Sequence, residues 1–366
     1  MQEEHAEILA SIRDQAKRLL NDQATPEHLK SLLEAPASFD HVLWGHAVEQ
    51  GWPSVGMTEQ AGGLGLGWSG LGVLCEETGR VTASLPLMAN AVVADALQQS
   101  ATEQWLPLIE ALTLGSKIAC LALADPTDSG LSTSPSLVST HGFLDGEKAL
   151  AAFADVADVA LVQAHSEQGI ALFLVDLHQP GVQRMPHNSF DNARAAAVLC
   201  FKHVPGRLLG SVNEVLNVTS LAALACACEQ VGGAQASLDL ACKYARERRA
   251  FGQLIGSFQG IKHKLAEIYC LLEVARGCVS DALDAWDQDL PEKRQLASAA
   301  RIAATKAYDY AAQECLHIHG GMGVTWEAMP HHHYRRSRTL ALELGSLPYW
   351  RERLLSDIGL KTAHSQ

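Results

Sequence analysis

The hydrophobic period of this chain changes twice, and that constrains its fold more than any single motif. From Glu3 to about Lys117, apolar residues recur at three- and four-residue spacing. Leu71-Gly-Val-Leu-Cys-Glu-Glu-Thr-Gly-Arg80 and Ala91-Val-Val-Ala-Asp-Ala-Leu97 are examples, and Pro26, Pro36, Pro53 and Pro86 break the run. This spacing predicts amphipathic helices. Between about Ile118 and Pro205 the texture becomes short apolar runs, Val159-Ala-Leu-Val-Gln163, Ile170-Ala-Leu-Phe-Leu-Val175 and Ala197-Val-Leu-Cys-Phe201, separated by Gly, Pro, Asp and Asn. Runs of that length predict strands of a small β domain. After Gly206 the helical period returns, with Pro291 marking an inter-helix turn. The expectation is an α+β fold: a helical domain over 1–117, a β domain over 118–205 and a helical bundle over 206–366.

Charge narrows the function. A formal net charge of −13 supplies no basic surface for phosphate backbones, which argues against nucleic-acid binding. No uninterrupted apolar run reaches the roughly 18 residues of a membrane span. The acidic opening Met1-Gln-Glu-Glu-His5 does not resemble a secretory signal, so a cytoplasmic protein is expected. The nine cysteines form no Cys-x-x-Cys pair and read as small buried hydrophobes.

Two suggestive patterns carry little. Gly65-Leu-Gly-Trp-Ser-Gly70 fits a dinucleotide fingerprint in spelling, but Gly51-Trp-Pro-Ser-Val-Gly56 before it is no strand, and no carboxylate lies at Leu85 to Asn90. His317-Ile-His319 and His331 to His333 lack metal-ligand spacing, and adjacent helical residues point apart. The second group is expected to be a solvated helix start, and no metal site is expected.

The third segment carries the chemistry. Lys243-Tyr-Ala-Arg-Glu-Arg-Arg-Ala-Phe-Gly-Gln-Leu-Ile-Gly-Ser-Phe-Gln259 ends a small-residue helix that begins near Leu221. A guanidinium beside an aromatic ring suits a pyrophosphate or a heterocycle. His317-Ile-His-Gly-Gly-Met-Gly323 places glycines after a helix, where backbone can approach a ligand closely. Either motif alone also fits an ordinary helix end.

In this order and spacing, these motifs resemble the acyl-CoA dehydrogenase family. The resemblance includes Arg248-Arg-Ala-Phe-Gly-Gln-Leu-Ile-Gly-Ser-Phe-Gln259, Lys306 and His319-Gly-Gly-Met-Gly-Val-Thr-Trp-Glu327. It extends to Thr58-Glu-Gln-Ala-Gly-Gly-Leu-Gly-Leu-Gly67 and Glu76-Glu-Thr-Gly-Arg80 in the first segment. It implies FAD between the β domain and the bundle, with Arg248, Phe251 and Gln259 clamping the ADP half of a neighbouring subunit's cofactor. His317, Gly320 and Gly321 would touch the same half. The implied reaction is α,β-dehydrogenation of an acyl-CoA thioester, with electron-transfer flavoprotein as acceptor.

The chain departs from the family where flavin and substrate would react. The ring-gripping Trp-x-Thr is replaced after Gly146-Glu-Lys148 by Ala149-Leu-Ala-Ala-Phe153, and the preceding flavin loop reads Ala124-Asp-Pro-Thr-Asp-Ser-Gly130. Aligned on Gly345, the base position holds Leu344. Glu343 lies one residue away, about 100° around a helix. The relatives' alternative base position falls near Ala222. Glu229, in an apolar stretch, is expected to pair with an arginine across a subunit interface. This pattern of loss resembles the non-catalytic subunit of bacterial heterotetrameric dehydrogenases acting on steroid-derived CoA thioesters. A homomeric enzyme using Glu343 or Glu229 is the alternative. Small residues in Leu221 to Arg248 and Ile302 to Leu316 are expected to allow close packing between subunits, giving a homomeric or mixed oligomer.

Overall fold

The computed structural model describes residues 2–35, 39–100, 102–126 and 135–360. The break expected at Pro36 and residues 127–130 of the flavin-loop stretch lie outside the described residues. Six helices come first: α1 (Gln2–Gln23), α2 (Pro26–Glu34), α3 (His41–Glu49), α4 (Gly67–Arg80), α5 (Leu87–Gln99) and α6 (Leu106–Thr113). Thr25 and Asp40 cap α2 and α3 by accepting from the His28 and Leu43 amides. An eight-stranded sheet follows, made of β1 (Ala119–Ala122), β2 (Val138–Thr140), β3 (Phe143–Ala152), β4 (Val159–Ser166), β5 (Gly169–Asp176), β6 (Val182–Pro186), β7 (Ala196–Pro205) and β8 (Arg207–Ser211). The sheet order is β6-β7-β3-β2-β4-β5-β8. β1 and β2 run parallel to β4, and the other pairs are antiparallel. The last strand lies beyond the textural change expected at Pro205, because Arg207–Ser211 pairs with β5 before the chain turns helical.

Alternation along β4 explains how the sheet joins the rest. Val159 and Leu161 pack with the helices, whereas Ala160, Val162 and Ala164 fill a second core with Phe173 and Val175 of β5 and Leu199 of β7. A strand buried on both faces reads as an unbroken apolar run, which is how Val159 to Gln163 appears in the sequence.

The remaining helices are α7 (Val212–Glu247), α8 (Gln259–Asp287), α9 (Lys293–His319), α10 (Met329–Leu342) and α11 (Leu347–Asp357). A two-residue hairpin, β9 (Arg249–Ala250) with β10 (Gln253–Leu254), separates α7 from α8. A capping box starts α7: Glu214 accepts from the Ser211 amide at 2.7 Å, so the helix begins nine residues before the expected Leu221. α7 is long and apolar enough to cross a membrane, but 89% of its most apolar window is buried inside the molecule.

The small residues of α7 work within the chain. A Cβ on Gly232 would sit 1.8 Å from the Glu76 carbonyl oxygen of α4, and one on Gly79 of α4 would sit 2.0 Å from the Glu229 carbonyl. Two helix backbones touch there. A Cβ on Gly233 would strike the Tyr308 ring of α9 at 2.2 Å. The composition expected to serve subunit contacts therefore serves intramolecular packing at these positions.

The histidine expectation is overturned. His331, His332 and His333 lie in the first turn and a half of α10 at 6%, 6% and 1% exposure, because α10 packs against α9 and α7. His333 Nδ1 pairs with the Tyr308 hydroxyl at 3.0 Å. Burial, reinforced by neighbouring positive groups, pushes the pKa of His333 down to about 3 and that of His332 to about 4. The unfolded chain takes up these protons below the ordinary value near 6.5, whereas the fold resists them. Stability from these groups is complete above pH 6.5 and is lost as pH falls toward 4. The expected slope is about 1.4 kcal/mol per pH unit for each group. Urea midpoints between pH 7 and 4.5 should fall more shallowly in His333→Gln; an unchanged slope would show that His333 is protonated in the fold.

Candidate functional site

The site grows from the loop between β6 and β7. There the Arg194 amide donates to the Asp191 carbonyl at 3.2 Å, and the next carbonyl, of Ala195, accepts from the Phe153 amide at 2.7 Å. Phe153, at the end of β3, has φ +62° and is 1% exposed. This left-handed conformation is uncommon for a bulky residue, and here the packing enforces it. The Phe153 ring lies under the Arg194 guanidinium at 5.4 Å.

Arg194 then reaches two carboxylates. Its Nε and Nη2 donate to both oxygens of Glu343 at 2.7 and 3.0 Å, and Nη1 donates to Glu229 at 3.2 and 3.3 Å. Arg336 of α10 continues the chain of pairs, donating to Glu229 at 2.9 Å and to Asp191 at 2.5 Å. Burial works against the Arg194 charge, but the Glu229 and Glu343 carboxylates outweigh it and raise its pKa above the ordinary guanidinium value. The buried Arg301 of α9 donates to Gln230 at 2.7 Å, to the Glu343 carbonyl at 2.7 Å and to the Leu340 carbonyl. Two guanidiniums, those of Arg194 and Arg336, thus pair with three carboxylates (Asp191, Glu229 and Glu343), while the Arg301 guanidinium beside them is held by an amide and by backbone carbonyls.

Two sequence expectations change here. Glu229 pairs with Arg194 and Arg336 of its own chain, not across a subunit interface, because the α4–α7 crossing and α10 close around it. Glu343 is not turned away on a helix. It is the C-cap of α10 with extended backbone (φ −60°, ψ 131°), and Leu344 follows at φ +62°. The helical rotation argument fails because the helix ends at Leu342. Glu343 and Leu344 both line one cavity of about 460 Å³, whose opposite wall is Ala124, Ala149, Leu150 and Ala152. A further space of only about 30 Å³, behind Leu344, lies against Met88 and Leu121, room for a water or two. Ala222, the other expected base position, is fully buried.

The partly retained loop segments do meet. The buried Lys148 of β3 donates to Asp125 at 2.5 Å and to the Leu123 carbonyl at 3.2 Å, while the Ala149 amide donates to the Ala124 carbonyl at 2.9 Å.

The other expected residues gather at the far end of the bundle. Tyr244 of α7 stacks on His319 of α9 at 4.2 Å, bringing the end of α7 beside the glycine loop. Arg248 caps α7, and Phe251 stands at the β9–β10 tip with φ +51° and 95% exposure. Gln259 opens α8 on the surface, and the half-exposed His317 pairs with Glu314 at 3.4 Å. Gly320 has φ +59°, and a Cβ on Gly320 or Gly321 would meet nothing within 4 Å. All nine cysteines are free thiols, and no three His, Cys, Asp or Glu of the described residues are grouped to hold a metal.

Residues 2–107 match the family description "Acyl-CoA dehydrogenase, N-terminal domain" and residues 213–355 match "Acyl-CoA dehydrogenase, C-terminal domain". The chain belongs to the acyl-CoA dehydrogenase family. Among curated members it is 29% identical to the acyl-CoA dehydrogenase IpdE2 of Mycobacterium tuberculosis, over 95% of this chain and 96% of that one. Among solved acyl-CoA dehydrogenase structures, a variant of the Tcur3481-Tcur3483 steroid enzyme superposes with TM-score 0.90 at 28% identity, covering 97% of this chain and 98% of that one. The ChsE4-ChsE5 complex from Mycobacterium tuberculosis shares the fold, with TM-score 0.89 at 23% identity and coverage of 97% and 98%.

Sequence reading missed Arg194, Asp191, Arg336 and Arg301. A signal for Arg301 was present: a lone guanidinium in Ala299-Ala-Arg-Ile-Ala-Ala304, the positive counterpart of Glu229 in its own apolar stretch. Charges in such runs need buried partners.

Proposed function

We propose that this chain is the non-catalytic subunit of a heteromeric FAD-dependent acyl-CoA dehydrogenase. It lends Arg248, Phe251, Gln259 and the His317–Gly321 loop to a cofactor whose ring is held by the partner subunit. The observation that carries this reading is Arg194, which occupies both carboxylates able to act as a base. A carboxylate in a bidentate guanidinium pair is poorly placed to take an α-proton, which requires it about 3 Å from the substrate carbon and free to accept.

FAD, when bound, supplies the two-electron acceptor for the reaction. The two halves of the implied cofactor site fit it unequally. At the bundle end, an exposed guanidinium, a projecting aromatic ring and an open glycine loop suit a nucleotide diphosphate presented by another chain. At the α10 cavity, Ala149 to Ala152 offer neither an indole nor a hydroxyl to a flavin ring. The likeness to a steroid dehydrogenase favours a steroid-derived acyl-CoA as substrate of the assembled enzyme, and the family resemblance implies electron-transfer flavoprotein as its acceptor.

Arg248→Ala tests the lending role. Losing a charge-assisted contact to pyrophosphate should cost about 1.5–3 kcal/mol of FAD binding in the assembled complex. Flavin retained after gel filtration, measured by absorbance, should drop sharply. Unchanged retention would make Arg248 an ordinary helix cap.

A further inference from the structure

The lending role leaves out one buried charge at the bundle end. Glu314, near the end of α9, is 6% exposed, so its carboxylate needs partners. It has two. The Lys264 ammonium of α8 donates to Oε2, and the His317 ring lies with Nδ1 3.4 Å from Oε1.

These contacts decide what His317 presents to solvent. A carboxylate accepts and never donates, so Nδ1 carries the proton that faces Oε1. In the neutral ring the other nitrogen, Nε2, is then a bare acceptor. The Gly320 amide donates to the His317 carbonyl and closes the helix, so the backbone beneath the ring is held as well. The His317 side chain is 54% exposed, and the Gly320–Gly321 loop beside it is open. His319 is committed elsewhere: its Nδ1 donates to the Cys315 carbonyl at 2.8 Å, and its ring stacks on Tyr244.

We propose that Glu314 is a positioning residue for cofactor binding: held by Lys264, it fixes the His317 tautomer so that Nε2 accepts from a hydrogen-bond donor on the adenosine of FAD. The inference rests on the lending role proposed above. Pyrophosphate oxygens only accept, so they suit the Arg248 guanidinium and not a bare Nε2. Nε2 takes a hydroxyl or an amine, and adenosine carries both, one on the ribose and one on the adenine ring. Glu314→Gln should reverse the polarity of the ring. The amide keeps the volume, but its one oxygen goes to the Lys264 ammonium, which leaves the NH₂ group facing Nδ1. Nδ1 then accepts, and the proton moves to Nε2.

Two readouts test this. The first is the isolated chain with ¹⁵N-labelled histidine at about pH 8.5, where an ordinary imidazole is neutral. The ring signals missing from His317→Ala should show a protonated Nδ1 and a bare Nε2. These roles should exchange in Glu314→Gln, with His319 unchanged. The second is FAD affinity of the deflavinated complex. Glu314→Gln should weaken it about three- to tenfold, the usual strength of one neutral hydrogen bond. The same change in a His317→Ala background should cost nothing further, whereas a purely structural Glu314 would cost the same in both. Two analogues identify the donor, one with hypoxanthine in place of adenine and one lacking the ribose hydroxyls. At least one should bind the wild-type complex about three- to tenfold more weakly than FAD, and that difference should vanish in Glu314→Gln. Arg248→Ala separates the two readings. If it weakens FAD binding and Glu314→Gln does not, only the positioning role falls; if neither does, the lending role falls too. A wild-type His317 with its proton on Nε2 would overturn the inference even if the variant complex failed to assemble, and so would two analogues that bind as FAD does.

Discussion

Arg194→Met should destabilise the protein by about 3–5 kcal/mol, the usual cost of removing one partner of a buried ion pair. The Arg194 side chain is 4% exposed, and its partners Glu229 and Glu343 are 11% and 14% exposed, so water can do little to replace the lost guanidinium. Glu229 keeps Arg336, but Glu343 keeps no cation at all among the described residues. Relief should come from neutralising what is left. Arg194→Met combined with Glu343→Leu should recover much of the loss, because a packed apolar pair replaces a stranded charge. Urea unfolding of the two variants decides this. If the single variant lost less than about 1 kcal/mol, the network would be a surface-like one of little consequence.

In the assembled enzyme, Glu343→Gln and Glu229→Gln should each leave turnover of an acyl-CoA within about twofold of wild type, whereas loss of a general base ordinarily costs about 10²–10⁴-fold. The contrast is large because the two readings place the chemistry in different subunits. If Glu343 were the base, it would have to leave Arg194 at each turnover, breaking a bidentate pair at 2.7 and 3.0 Å. Steady-state assays of the complex with either variant separate the cases, provided the complex still assembles. A thousandfold loss in Glu343→Gln would move the catalytic centre into this chain.

Much of the fold was legible because period and burial coincide. β4, β5 and β7 contain the apolar runs read as strands, and the long small-residue stretch is the centre of α7. The failures share a cause. The helix-rotation argument for Glu343 assumed that α10 continues, but the chain breaks to extended backbone there, and Arg301 holds the Leu340 and Glu343 carbonyls that the helix leaves unpaired. His331 to His333 look solvated in sequence and are buried because Tyr308, about 25 residues upstream, takes the His333 ring. Arg194 gives no local sign of its role. Its partners are 35 and 149 residues away, and only the fold joins them.

The most direct test of the account is the flavin content of the assembled complex. FAD should be counted by absorbance and by quantitative release, against amino-acid analysis of each chain. The account predicts one FAD per pair of this chain and its catalytic partner, none with the isolated chain, and flavin bleached by the acyl-CoA only in the complex. Two FAD per pair, or an isolated chain that is yellow and bleaches with substrate, would contradict it.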